Sequence, residues 1–257
     1  RESEDRKEGF FAEFTTHAEG GLEPFPFESP EQATAELKRV ARFVGADLVG
    51  VCAYDERWVY RTRYSERTQQ AEPMDLPDDL PWVIVIGEAM DRDLMWTVPS
   101  ALSGAATGMG YTQDAVVLLT LTQYLRNLGY RAYATMNDSA LAVPLAAQAG
   151  LGEVGRHSLL ITPEFGPRLR LGKIFTDLPL VPDRPQHFGV REFCEICHKC
   201  STNCPVKAIS SGEPQPEPRT TPAVPNVSTR NARPTPWPVP SPISKRVSRR
   251  FAKPCAR

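Results

Sequence analysis

No run of apolar residues in this 257-residue chain reaches the roughly 18 needed to cross a bilayer, and no basic stretch followed by an apolar one marks a secretory signal. The chain begins at Arg1 rather than methionine, so the missing signal carries no weight for export. There is no internal repeat and no GKS/T phosphate loop. Overall charge is also lacking, with 30 Lys/Arg against 31 Asp/Glu. That balance hides an asymmetry: residues 211–257 hold nine basic and two acidic residues, which leaves 21 basic and 29 acidic in residues 1–210. An acidic body argues against nucleic acid as a partner.

Cysteine is scarce, six in all, yet four of them fall within eleven residues of "FCEICHKCSTNCP". Disulfides between such near neighbours are strained, and a secreted scaffold spreads its bridges along the chain. The spacing Cys194-x2-Cys197-x2-Cys200-x3-Cys204-Pro205 is instead the bacterial ferredoxin run, in which three thiolates hold one [4Fe–4S] cube and the fourth reaches a second cluster. Zinc is the alternative, but it usually takes pairs separated by a longer finger. His198, between the ligands, reads as a solvated loop residue. Two clusters need eight ligands, and only Cys52 and Cys255 remain. Cys52 lies in apolar "DLVGVCAY" and reads as a buried thiol, while Cys255 has no cysteine near it.

Residues 1–28 read as an exposed lead-in. Ser29, Pro30 and Gln32 then make a helix start, followed by the apolar stripe Ala33, Leu37, Val40, Ala41 and Val44, with Gly45 as the stop. "DLVGVCAY" and "WVIVIG" have the length and composition of strands. Apolar positions 115, 118, 119, 125 and 128 predict a helix from Tyr111 to Leu128, ended by Gly129. "YRAYAT" reads as a strand, "VPLAAQAG" as a short helix started by Pro144, and "SLLIT" and "RLRLGKIFTDL" as strands. In the last of these Leu169 and Leu171 share one face, Arg168 and Arg170 the other. The reading is a mixed α/β (α+β) body over residues 29–188, a short cysteine segment over 189–212 and a tail over 213–257. From Ser211 onward lie eleven of the 25 prolines, so the tail is expected to be disordered or non-native sequence.

The stretch "GLGEVGRHSLLITPEFGPRLRLGKIFTDLPL", followed by "FCEICHKCSTNCP", resembles the reductive dehalogenases, and the likeness runs from about Ala41 through Ile209, taking in "GADLVGVCAYDERWVY" and "ATGMGYTQD". That resemblance implies a nitroreductase-like, corrinoid-binding core, then a ferredoxin-like segment, here partial, with [4Fe–4S] clusters and a cobalamin or related corrinoid as cofactors. It implies a halogenated organic molecule as substrate, and an electron donor protein or membrane-anchor subunit as partner. A respiratory member would sit on the outer face of the cytoplasmic membrane, and any other in the cytoplasm. Matched residue by residue, Tyr111, Asn137 and Arg170 line the substrate pocket: a phenol, which ordinarily keeps its proton to about pH 10, as proton donor, a guanidinium to stabilise the phenolate, and an amide to orient. Gly108, Gly110, Gly150, Gly152 and Gly155 would let backbone approach a macrocycle. Cys194, Cys197, Cys200 and Cys204 would be the metal ligands. Trp58 reads equally as a pocket wall and as core. A complete member carries a second cysteine set, so the chain reads as truncated or frame-shifted and turnover is not expected of it. Epoxyqueuosine reductase, a tRNA-modifying relative, and a one-cluster electron-transfer protein are the competing readings.

Overall fold

Ser29 Oγ accepts the Gln32 backbone N–H at 3.2 Å and Pro30 occupies the first turn, so α1 (Pro30–Phe43) begins where the sequence places it. The Gln32 side chain reaches past the cap to the Glu28 N–H, at 2.7 Å, which departs from a strict capping box. The computed structural model describes residues 23–65, 70–74, 76–137 and 139–212. Most of the lead-in, the tail after residue 212 and Cys255 lie outside the described residues.

Four antiparallel strands, β1 (Leu48–Ala53), β4 (Trp82–Ala89), β5 (Ala132–Thr135) and β8 (Leu169–Thr176), form the central sheet in the order β1-β4-β8-β5. Two short hairpins complete the strands: β2 (Thr62–Ser65) with β3 (Gln70–Pro73), and β6 (Glu153–Val154) with β7 (Leu160–Ile161). One face of the sheet, through Val49, Val51, Ile84, Ile86 and Ile174, packs against α1 and against α3 (Ala101–Asn127). The opposite face, through Val83, Val85, Tyr133 and Phe175, packs against α4 (Ala142–Gln148). Covering both faces explains why β1 and β4 read as continuous apolar runs rather than as polar–apolar alternation. Cys52 lies in the second of these cores at 3% exposure, as its sequence context predicts, and burial, then the charges of Asp55 and Asp183, push its thiol up to about 12.

The helix that bears Tyr111 starts ten residues earlier than its apolar spacing predicts. Ser100 and Ser103 close a capping box at its start, after the short α2 (Arg92–Met95). The stretch "ALSGAATGMG" carries three glycines and hides the start because its buried side is made of Ser103, Ala106 and Gly110 rather than large aliphatics. Tyr111 therefore stands mid-helix, not at a helix start. α4 likewise begins at Ala142, two residues before Pro144, and only Leu160 and Ile161 of "SLLIT" are strand.

After β8 the chain forms α5 (Val190–Cys197) and α6 (Lys199–Asn203), which carry three of the four clustered cysteines. His198 joins them with a left-handed backbone (φ +46°), and its carbonyl accepts from Ser201 Oγ at 2.8 Å and the Thr202 N–H at 2.9 Å. It is half-buried, with an unpartnered buried Nδ1, so it is a helix joint rather than a solvated loop residue. Among the described residues no helix is long and apolar enough to cross a membrane.

Candidate active site

Tyr111, Asn137 and Arg170 come from α3, from the turn after β5 and from β8, and the fold brings them together. Asn137 Nδ2 donates to the Tyr111 hydroxyl oxygen at 3.2 Å and Arg170 Nη1 donates to it at 3.1 Å. The Arg170 guanidinium also lies 4.2 Å from the centre of the Tyr111 ring, so it meets the phenol by both its face and its oxygen. Asn137 is exposed and Tyr111 half-buried, which leaves the phenol on an open surface. A cavity of about 790 Å³ lies elsewhere, lined among others by Cys52, Asp55, Asp78 and Asp183. Trp58 packs with the second core rather than beside the phenol, although its indole nitrogen is buried without a partner.

The glycines divide. A Cβ at Gly108, or one turn earlier at Gly104, would meet nothing within 4 Å. Both share a helix face with Tyr111 by their spacing, so beside the phenol the helix presents bare backbone. Gly110 instead points into the protein, with Arg170 Cγ at 3.0 Å and Met90 Cγ at 3.2 Å from where a Cβ would stand. At Gly152 that position is 2.3 Å from the Ile161 carbonyl oxygen, at Gly155 it is 2.7 Å from Ile161 Cδ1, and at Gly150 (φ +72°) it is 2.5 Å from the Arg184 carbonyl oxygen. The chain's own packing therefore occupies the side-chain positions of Gly110, Gly150, Gly152 and Gly155, and that packing alone accounts for glycine at each. In letters, Gly150 to Gly155 is also a GxGxxG run, but it leaves α4 and enters β6, the reverse of the strand-to-helix order of a dinucleotide loop.

The cysteine segment hangs from the hairpin that begins at β6. Glu153 accepts the backbone N–H groups of Phe188 at 2.8 Å and Val190 at 3.0 Å, at the start of α5. Arg156 donates twice to the Cys194 carbonyl, at 3.2 and 3.0 Å, and to the carbonyls of Ser210 at 3.0 Å and Gly212 at 2.9 Å. Burial and the neighbouring thiols of Cys194 and Cys197 push Cys200 up, so the three lie within one another's field. Backbone N–H groups, that of Ala208 first, hold the Cys204 thiol below its ordinary value. Among the described residues no three His, Cys, Asp or Glu side chains converge on a single ion. A cube presents a separate iron to each thiolate, so its ligands stand wider apart than those of a single zinc.

Residues 63–180 match the family model described as reductive dehalogenase subunit. The chain is 42% identical over 219 residues to the tetrachloroethene reductive dehalogenase of Desulfitobacterium hafniense, covering 72% of this chain and 40% of that protein. Its fold matches the catabolic reductive dehalogenase NpRdhA in complex with 3-bromo-4-hydroxybenzoic acid, with a TM-score of 0.69 and 27% identity, over 78% of this chain and 29% of that one. Over residues 63–180 the chain is reductive dehalogenase sequence. It spans about 40% of the length of that curated relative. The epoxyqueuosine reductase of Salmonella typhimurium shares 43% identity over only 91 residues, 35% of this chain.

Behind the phenol lies a feature that the sequence reading missed. Glu88 and Asp114, each 1% exposed, sit at the junction of β4, β8 and α3, and fully buried Lys173 lies on β8 with its side chain on the opposite, α4 face. Burial, then the charges of Asp114 and Asp47, push Glu88 up to about 9. Burial pushes Asp114 up to about 7 against the opposing pull of Lys173 and Arg170. Lys173 Nζ donates to the carbonyls of Met136 and Ala140, the two sides of the turn that presents Asn137. The signal available in the sequence was a carboxylate ending an apolar strand and a lysine inside "LGKIF".

A carboxyl raised on folding binds more protons in the native than in the unfolded state, so stability falls as pH rises through the window between the two values. For Glu88 that window runs from the ordinary 4.5 to about 9. Glu88→Gln is expected to flatten the decline, and chemical denaturation between pH 5 and about 9 checks it: the variant should gain on the native chain toward alkaline pH.

Proposed function

We propose that this chain carries the substrate-facing core and first cysteine motif of a reductive dehalogenase, which replaces a carbon–halogen bond of an organic molecule by carbon–hydrogen. The observation that carries this reading is the Tyr111 oxygen with Asn137 and Arg170 both donating to it. A bound corrinoid, fed by [4Fe–4S] clusters, supplies the reducing electrons. The remaining chemistry falls to side chains. With its two acceptor positions taken, the phenol has its own O–H left to give, and the substrate carbon is where that proton goes. The fixed charge of Arg170, 3.1 Å away, stabilises the oxygen as it turns negative, and Asn137 supplies a second hydrogen bond to the same atom. The open backbone at Gly104 and Gly108 fits a flat macrocycle laid against α3 next to the phenol. Cys194, Cys197 and Cys200 would hold one cluster, and Cys204, which lies beyond α6, would reach another.

The test is anaerobic expression with cobalamin supplied, followed by measurement of cobalt, iron and halide released from a chlorinated ethene. Bound cobalt with steady halide release is the result this reading predicts, against the expectation, drawn from the absence of a second cysteine set in the sequence, that the chain does not turn over. A protein that takes up iron but no cobalt is an electron carrier, and the proposal then fails.

A further inference from the structure

The charged groups behind the phenol are held unusually dry. Glu88 stands opposite Arg170 in the β4–β8 ladder, and alternation puts both on the face that α3 covers. Asp114 follows Tyr111 by three residues on α3 and rests on the sheet where Gly172 leaves room: a Cβ at Gly172 would stand 2.2 Å from Asp114 Oδ1. Both Glu88 carboxyl oxygens, Asp114 Oδ1 and Arg170 Nε are buried without a hydrogen-bond partner. Four such atoms in one locality are what an internal water needs, since it binds two to four polar groups.

We propose that Glu88 and Asp114 form the proton store of the Tyr111 site, a water-bridged acid pair that returns a proton to the Tyr111 oxygen after each donation. This rests on reading Tyr111 as the proton donor. In donation the Tyr111 O–H bond breaks and its proton goes to the substrate carbon. In the refill a Glu88 O–H bond breaks, the proton passes along water beside Arg170, and a new O–H bond forms on Tyr111. The Glu88 carboxylate then regains a proton from solvent by way of Asp114, and no electrons move. Arg170 itself has no proton to spare, because guanidinium does not deprotonate in proteins. The open side of Tyr111 is where substrate must lie, so the refill comes from the protein side. The charged groups around the pair are Asp47 ahead of β1, and Arg170 and Lys173 on β8. The elevated value of Glu88 keeps a proton on it at neutral pH, and Asp114 is balanced to exchange one there.

Infrared spectroscopy of the chain reads the store without corrinoid or substrate. The expected result is a protonated-carboxyl band at pH 8 that is absent in Glu88→Gln and titrates at lower pH in Asp114→Asn, where the neighbouring negative charge is gone. Melting curves confirm that the variants are folded, and Asp114→Asn keeps the measurement available should Glu88→Gln not fold. In the cofactor-loaded protein, Glu88→Gln should slow halide release roughly tenfold or more and remove the fall in rate above about pH 9. An unchanged band shows Glu88 ionised and overturns the store. A band that disappears while the rate and its pH profile stay as in the native chain overturns the refill. Either failure leaves dehalogenation itself standing, whereas cobalt-loaded protein that releases no halide while the band is present brings down the proposed function and the refill with it.

Discussion

Tyr111→Phe is expected to slow halide release by roughly 10²–10⁴-fold while the protein stays folded. The two halves of that expectation come from different contacts. The ring stays where it is, under the Arg170 guanidinium at 4.2 Å, because that contact is made to the ring face and not to the hydroxyl. The lost atom is the one that accepts from Asn137 and Arg170, so the change removes the proton and the oxygen on which charge develops. Asn137 is exposed, so water can take the place of its lost partner, and stability should move by about 1 kcal/mol or less. Arg170→Lys complements it: the charge survives, but the planar stacking and forked donors do not, and an intermediate rate is expected. Halide release under reducing conditions, together with thermal melting, checks both variants. A phenylalanine variant with undiminished turnover would remove Tyr111 from the chemistry.

Arg156→Ala is expected to release the cysteine segment while the body stays folded. One guanidinium holds three carbonyls that lie 38, 54 and 56 residues further along the chain, and those bonds close the segment on itself as well as onto the body. Hydrogen bonds from a charged donor contribute about 1.5–3 kcal/mol each when one partner is removed, and partial exposure reduces that here. Loss of about 2 kcal/mol in local opening is a thirty-fold faster amide exchange across residues 190–212. The body should not follow, because within α5 and α6 only Val190 and Ser201 are buried. Exchange read by mass spectrometry, with β4 as the internal reference, decides it, and iron retained after reconstitution should fall in parallel. If residues 190–212 exchange at the native rate, Arg156 is not their anchor.

The legible parts of this chain were those with a local cause. The Ser29 cap, the apolar strands and the stop at Gly45 each follow from neighbours in sequence, and each stands in the structure. The start of α3 was illegible because its inner face is built of small and polar residues, whose fit depends on Met90 and Arg170 far away in sequence. The β6–β7 pair was illegible because two residues a side carry no periodicity. Tyr111, Asn137 and Arg170 were reached through family likeness, and no spacing in the chain announces that a helix, a turn and a strand will meet at one phenol oxygen. Glu88 and Lys173 were passed over for a physical reason: charged residues at strand positions read as solvent-facing, and here helices on both sides of the sheet deny them solvent. Glu153 and Arg156 sit inside the most family-like stretch of the chain, but their role appears only when residues 188–212 fold back onto them.

Arg170 and Glu88 occupy one rung of an eight-rung ladder between β4 and β8. Strand side chains alternate with a period of two, so a single residue inserted or deleted ahead of Arg170 in β8 would swing the guanidinium through to the α4 side and set a leucine, Leu169 or Leu171, beneath the phenol. The same slip would carry buried Lys173 and Phe175 to the α3 side and set a side chain where Gly172 now leaves room for Asp114, whose Oδ1 lies only 2.2 Å from where a Cβ would stand. The register that aims the guanidinium is thus the one that lets the strand pack, so reactivity and shape would be lost together.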